Sequence, residues 1–309
     1  MPRAAPTWPL LVLAAFLALV PSRAESLEEI DAHPPEVSRE TYVLQLGWEN
    51  RAHRFCGIAQ LALSTNLVDR DFVGVLQAGV WNSSRGFFGA AQVGLQNFAE
   101  HFIGVAQVGI HNVHRSLFIG AVQLGAYNQA DRELYTGFQA GVVNEARSFI
   151  GGAQVGALNI MRGGRDFLGP SQLGAVNIIE SSVYSALGQI GILNWVRSEG
   201  TERWYRPQLS APFQIGAVNL TRRFFGFAQI GAVNVGEDTV AALQVALVSW
   251  NNGDAAYVQI GIANFARRVT GVQIGLFNLA ARLRGIQIGL VNWVQRPRWP
   301  MIPIVNASL

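Results

Sequence analysis

The sequence predicts an all-β chain folded as a parallel β-solenoid of tandem repeats of about 15 residues. Three observations predict it. The unit Gln-x-Gly-x-x-Asn recurs along the chain, giving sixteen Gln positions from Gln45 to Gln287. The spacing is uniform, mostly 14 to 17 residues, with no alternation of long and short intervals. The residues flanking each Gln are aliphatic or glycine in nearly every copy, and the charges gather between copies. A one-strand period is what stacked coils demand, because an antiparallel wall repeats as a hairpin.

The chain opens with Arg3, then an apolar run from Leu10 to Val20, then Pro21-Ser22-Arg23-Ala24. This pattern predicts a secretory signal over residues 1–24; the run is short for a membrane helix. Residues 25–41 are polar and hold Pro34-Pro35, so they read as an extended lead-in. Residues 42–295 form the repeat domain.

In fourteen units Gly stands two places after Gln, and Ala62 and Ala246 replace it in the others. Asn follows five places after Gln in fourteen units; Gln60 reaches Asn66 and Gln244 reaches Asn251, each read as a small insertion. The repeat is seen in Gln92 and Asn97, in Gln107, Gly109 and Asn112, and again in Gln273, Gly275, Asn278, Gln287, Gly289 and Asn292. Stacked coils set identical residues above one another, so Gln and Asn form amide ladders. Gly allows a close approach that Cβ would block. Sixteen coils at about 4.8 Å make a rod of roughly 75 Å.

Read as one continuous strand, Phe102 to Asn112 alternates faces. One face carries Phe102, Gly104, Ala106, Val108, Ile110 and Asn112, and it reads as the buried or lipid-facing one. The face with Gln107 reads as small and mixed. Cys56, the single cysteine, allows no internal disulfide and reads as a buried thiol. Residues 296–309 hold Pro297, Pro300 and Pro303; they read as a cap with a last strand from Ile302 to Leu309, since proline cannot donate to another coil.

The competing architecture is a sixteen-stranded antiparallel outer-membrane β-barrel. Units of about eleven residues match a membrane strand, and Phe72, Phe87, Phe102, Phe118, Phe149 and Phe224 would make an interface girdle. Its lumen face, lined by Gln, Gly, Ala and Val, is less polar than a wide pore requires.

The tandem units Gly271–Asn278 and Gly285–Asn292, with the closing stretch Pro300–Asn306, resemble a group of surface-repeat proteins of Gram-negative bacteria. The resemblance runs from about Tyr42 to the end. It implies an exported, surface-associated protein with no catalytic residues. The unit is also similar in pattern to the coils of trimeric adhesin heads, without their coiled-coil stalk.

Composition narrows the function. Half the residues are apolar and 14% are charged, against roughly 25% in ordinary soluble domains. All 23 basic residues are Arg. Loss of residues 1–24 leaves 21 basic and 20 acidic residues, too balanced for a nucleic-acid partner. No hydrolase, zinc, thiol-redox or phosphate-loop motif occurs, and no cofactor is expected. His101, His111 and His114 cluster, and read as corner residues exposed to water rather than as a metal set, since no third ligand completes one. The acids Glu100, Asp131, Glu133, Glu145, Asp166 and Glu180 read as solvated corners; paired on one face they would instead suit a β-helix hydrolase acting on polysaccharide. The longest insertion, Arg197 to Pro212, is flanked by Trp195 and holds Arg203, Trp204, Tyr205 and Arg206, a contact loop for glycan or protein. The sequence therefore predicts an exported, non-enzymatic surface repeat protein, at the cell surface or in the outer membrane or periplasm. Its partner would be a surface glycan, a protein or the outer membrane.

Overall fold

A computed structural model of the chain describes residues 43–162, 167–168, 171–180, 184–185, 188–196, 209–210, 212–254, 257–295 and 301–308. The chain divides into two compact units, Met1–Ser38 and Arg39–Leu309, the first wholly outside the described residues. So are the expected signal, the lead-in and the insertion residues Arg203, Trp204, Tyr205 and Arg206.

The second unit is a β-solenoid. Gln45 pairs with Gln60 in parallel register, Gln60 with Gln77, Gln77 with Gln92, and so on to Gln273 with Gln287. Among the described residues there is no helix, and every strand pairing is parallel except the last. This excludes the antiparallel barrel, whose neighbouring strands must run oppositely.

One level shows how the sequence builds a coil. Strands Gln96–Ile103, Ala106–Val108 and His111–Leu124 are separated by bends at Gly104-Val105 and Gly109-Ile110. Each bend takes the chain out of strict alternation. Side chains therefore turn inward at five-residue intervals, at Phe102, Gln107 and Asn112, all buried. A fourth inward position follows two residues after Asn, at Ala99, His114 and Ala130 in successive coils. The coil has three sides, named here for Phe, Gln and Asn.

The expectation that Gln sits on the small, mixed face is overturned, because the alternation it assumed stops at every glycine bend. Gln and Asn fill the interior, and the aliphatic neighbours of Gln face outward. The phenylalanines are interior as well. Phe55, Phe72, Phe87, Phe102 and Phe118 stack with centroids 4.5–5.0 Å apart and rings nearly parallel. They are a buried pile, not a girdle. Cys56 follows Phe55 and so points outward; it is exposed, against the expectation of a buried thiol.

Burying an amide is unfavourable unless both its polar atoms are bonded. The ladders supply those bonds. Each of fifteen Gln amides donates from Nε2 to Oε1 of the Gln one level earlier, from Gln60 onto Gln45 (2.8 Å) to Gln287 onto Gln273 (2.8 Å). The Asn amides donate the other way, each to Oδ1 of the Asn one level later, unbroken from Asn50 to Asn234. After one interruption the Asn ladder resumes as Asn264 to Asn278 to Asn292.

The interruption corrects the sequence reading at Gln244. Register pairs Asn234 with Ser249 and Ser249 with Asn264, so the coil has no insertion there. Ser249 stands in the Asn slot, and Asn251 lies two residues on, donating to Gln244 Oε1 at 3.0 Å. The serine is too short to bridge, and both Ser249 Oγ and Asn264 Oδ1 are buried without a partner. At Gln60 the extra residue is accommodated by a register shift between Gly47 and Glu49, and Asn66 keeps its slot.

The final strand, Met301–Ser308, runs antiparallel to the last coil. Asn306 lies opposite Gln287 and donates to its Oε1 at 3.3 Å, so the end of the Gln ladder meets an amide from the closing strand. Ile304 takes a left-handed φ of 70° at the register shift in this pairing.

Candidate interaction surface

The corner between the Gln and Asn sides explains the whole motif. The backbone N–H of Gly94 donates to the Val108 carbonyl one level on at 3.0 Å, and Asn97 Nδ2 donates to the same oxygen at 2.7 Å. The pattern repeats at Leu124, which accepts from Gly109 N–H (2.9 Å) and Asn112 Nδ2 (2.7 Å). One carbonyl thus ties a backbone bend to an amide ladder. The Asn side chain crosses just under the next coil's glycine: a Cβ on Gly109 would lie 2.5 Å from Asn97 Nδ2 and 2.6 Å from the Gly94 carbonyl oxygen. Gln, Gly and Asn are therefore one device, and the predicted residues Gln92, Asn97, Gln107, Gly109, Asn112, Gln273, Gly275, Asn278, Gln287, Gly289 and Asn292 all belong to it.

With polar groups spent inward, the outside of the Gln side is left aliphatic. In all sixteen coils the six residues from two before Gln to three after hold no charged side chain, and besides the inward Gln only Trp48, Ser171 and Tyr257 bring a polar group. Exposure peaks at the two corners of this side, as at Val105 (57%), Ile110 (56%) and Leu290 (65%).

Among the described residues the charges occupy the opposite corner, between the Asn and Phe sides, except Glu49, just before the Asn slot, and Arg284, just after the Phe slot at Leu283. They pair across levels: Arg54 with Asp71 at 3.0 Å, Arg85 with Glu100 at 3.6 Å and Arg162 with Glu145 at 3.4 Å. Exposed pairs of this kind contribute only ~0–1 kcal/mol each. Glu145 also accepts from the Tyr127 hydroxyl at 3.0 Å. Burial and then the Glu145 charge raise the Tyr127 pKa, so that hydroxyl stays a donor.

Amphipathic side chains mark the two borders between aliphatic band and charged corner. On the Asn side Trp250 lays its ring near Phe265, centroids 5.1 Å apart, and donates its indole N–H to Asn252 Oδ1 at 2.8 Å. Arg115 holds its guanidinium 5.1 Å from the centre of the Phe98 ring. On the Phe side the Tyr135 hydroxyl donates to Glu133 at 3.4 Å. In each case the polar partner lies on the charged-corner side.

The histidines part company. His101 is half-buried at the charged corner, and its register partner is Leu117, not His114. His114 is fully buried in the small-residue column rather than solvated. It sits 3.5 Å from Gln123 Nε2 through Nδ1, with Nε2 unpartnered. Burial pushes its pKa down to about 3. Among the described residues no three His, Cys, Asp or Glu side chains converge as metal ligands. Trp195, beside the insertion, lies half-buried between Ile178 and Leu220 in register. The sequence marked the aliphatic neighbours of Gln as a buried or lipid-facing set but not which way they point, because the inward turn of Gln depends on neighbours fifteen residues away; the signal available was the complete absence of charge within two residues of every Gln.

No family model, curated protein or solved structure matches the chain.

Proposed function

We propose that the chain is an exported, non-enzymatic surface repeat protein of a Gram-negative bacterium, serving as a structural or adhesive element. The observation that carries this reading is the sixteen-level Gln ladder: polar groups that an enzyme would converge in a cleft are spent on holding identical levels together. A stack stabilised level by level suits a spacer or a presenting wall. Three of the described acids support the same reading, since Glu100, Glu145 and Asp71 each pair with an arginine.

The test is made in a Gram-negative host with the full chain bearing an epitope in the charged corner. We expect cleavage after Ala24, read by N-terminal sequencing, and labelling of intact cells by the antibody. Uncleaved protein confined to the cytoplasm would overturn export. Hydrolysis of cell-surface polysaccharide by the purified chain, abolished by Glu145→Gln, would overturn the non-enzymatic part.

A further inference from the structure

The aliphatic band needs an occupant. Sixteen levels of six residues span roughly 75 by 20 Å, about 1,500 Å². The largest apolar patch on an ordinary soluble monomer is ~300–600 Å². A band of this size is not incidental surface.

Its shape and borders indicate what covers it. The band bends around two corners, and it is the corners, not the flat Gln side, that stand out furthest, as Val105, Ile110 and Leu290 do. A second copy packed side against side would cover the flat Gln side, where Ile260, Ile274 and Ile288 are 38–40% exposed, and leave the corners in water. A fluid apolar phase covers all three surfaces at once. The borders match such a phase. Trp250 and Tyr135 set an apolar ring beside the band and a hydrogen-bonded polar tip toward the charges, and Arg115 lies over Phe98. Rings with one wet end are the side chains that settle at a membrane–water boundary.

We propose that the solenoid lies lengthwise on a lipid membrane, its Gln side and both flanking corners sunk to the level of the upper acyl chains and its charged corner in water. The partner class is a phospholipid surface held by apolar burial. Apart from Arg284, which borders the Phe–Gln corner, the described Arg side chains lie on the charged corner away from it, so anionic headgroups are not required. The inference rests on the solenoid's surface and holds whether or not the chain is exported.

The test follows depth at single positions in the full chain. Cys56 is the only cysteine, so Cys56→Ser gives a silent background. Leu276→Cys places an environment-sensitive fluorophore on the band, and Arg282→Cys places one on the charged corner. With phosphatidylcholine vesicles, the label at 276 shifts to the blue and is quenched by lipid-borne quenchers, while the label at 282 does neither. Cosedimentation is the same with or without phosphatidylglycerol and at low or high salt. The triple change Leu247→Glu, Ile262→Arg, Leu276→Glu, at exposed corner positions, lowers vesicle binding at least tenfold with the circular dichroism melt retained. The change Arg267→Gln, Arg282→Gln leaves binding unaltered; a loss there would contradict the assignment.

Three results would overturn the proposal. A blue shift at 276 in lipid-free buffer, with a dimer or trimer by light scattering, would mean copies cover the band. Vesicle binding that leaves both labels in water would mean tethering through another segment. Binding only to anionic vesicles, lost at high salt, would assign the contact to arginine. If the triple variant fails to melt cooperatively, the paired labels at 276 and 282 decide alone.

Discussion

At the scale of the residue, the Gly two places after Gln is fixed by what lies beneath it. A Cβ on Gly275 would stand 2.5 Å from the Gly261 carbonyl oxygen and 2.7 Å from Asn264 Nδ2. Gly275→Val should therefore destabilise by on the order of 3 kcal/mol, read as a fall in the denaturation midpoint, and Gly275→Ala by less. Replacing a mid-ladder amide costs more than one hydrogen bond. Gln123→Leu leaves Gln107 Oε1 and Gln139 Nε2 unsatisfied, and we expect a loss of roughly 2–5 kcal/mol. His114 adds a pH dependence. Its folded pKa, about 3, lies below the ordinary 6.5, so the fold prefers the neutral ring. Stability is complete above pH 6.5 and is lost as pH falls from there toward 3, by at most on the order of 4 kcal/mol. In His114→Ala, which matches Ala99 and Ala130 in the same column, a urea titration across that window should lose this slope.

At the scale of the element, the coil containing Ser249 is the informative one. It departs from the motif twice, with Ala246 for Gly and Ser249 for Asn. In a regular coil the glycine clears the Asn amides of its own coil and of the one before. The Ala62 coil keeps its Asn ladder with an extra residue ahead of Asn66, and the Ala246 coil has no such residue. Asn234 Nδ2, with no Asn ahead, settles for the Gln229 and Val245 carbonyls at 3.3 Å. We expect Ser249→Asn alone to gain little, because the Ala246 methyl crowds the new amide. Ser249→Asn with Ala246→Gly should reconnect the ladder and raise stability by ~1–2 kcal/mol, with clear coupling in a double-mutant cycle. The period, the ladder residues and the glycine role were legible in the sequence, because each repeats in place. Inside and outside were not. Gln107 is ordinarily a surface residue, and only register with Gln92 and Gln123 makes its burial favourable; that partnership is invisible in a window of one coil. Ile110, placed on the same face as Phe102, points outward while Phe102 is buried, since each bend resets the alternation.

At the scale of the whole molecule, stability is a sum over levels and their interfaces. Deleting residues 92–106 removes one register unit and brings Gln77 against Gln107. That variant should fold, with the same circular dichroism per residue and a midpoint lower by only a few degrees. Deleting residues 92–98 removes half a level and should abolish the cooperative melt. The pair separates a stack of equivalent layers from a single indivisible core. The segregation of charge also belongs to this scale. No local rule gathers most of the described Arg and acid side chains on one corner, yet the pattern recurs along the stack.

The Gln amides all point their donors toward the first coil, and the Asn amides point theirs toward the last. A helix sums its peptide dipoles into charged poles. Here two antiparallel columns of amides largely cancel, so adding layers builds up no axial field. Lengthening such a stack by duplication meets no electrostatic limit, and its extent is set instead by where a closing strand, here Met301–Ser308, turns back across it.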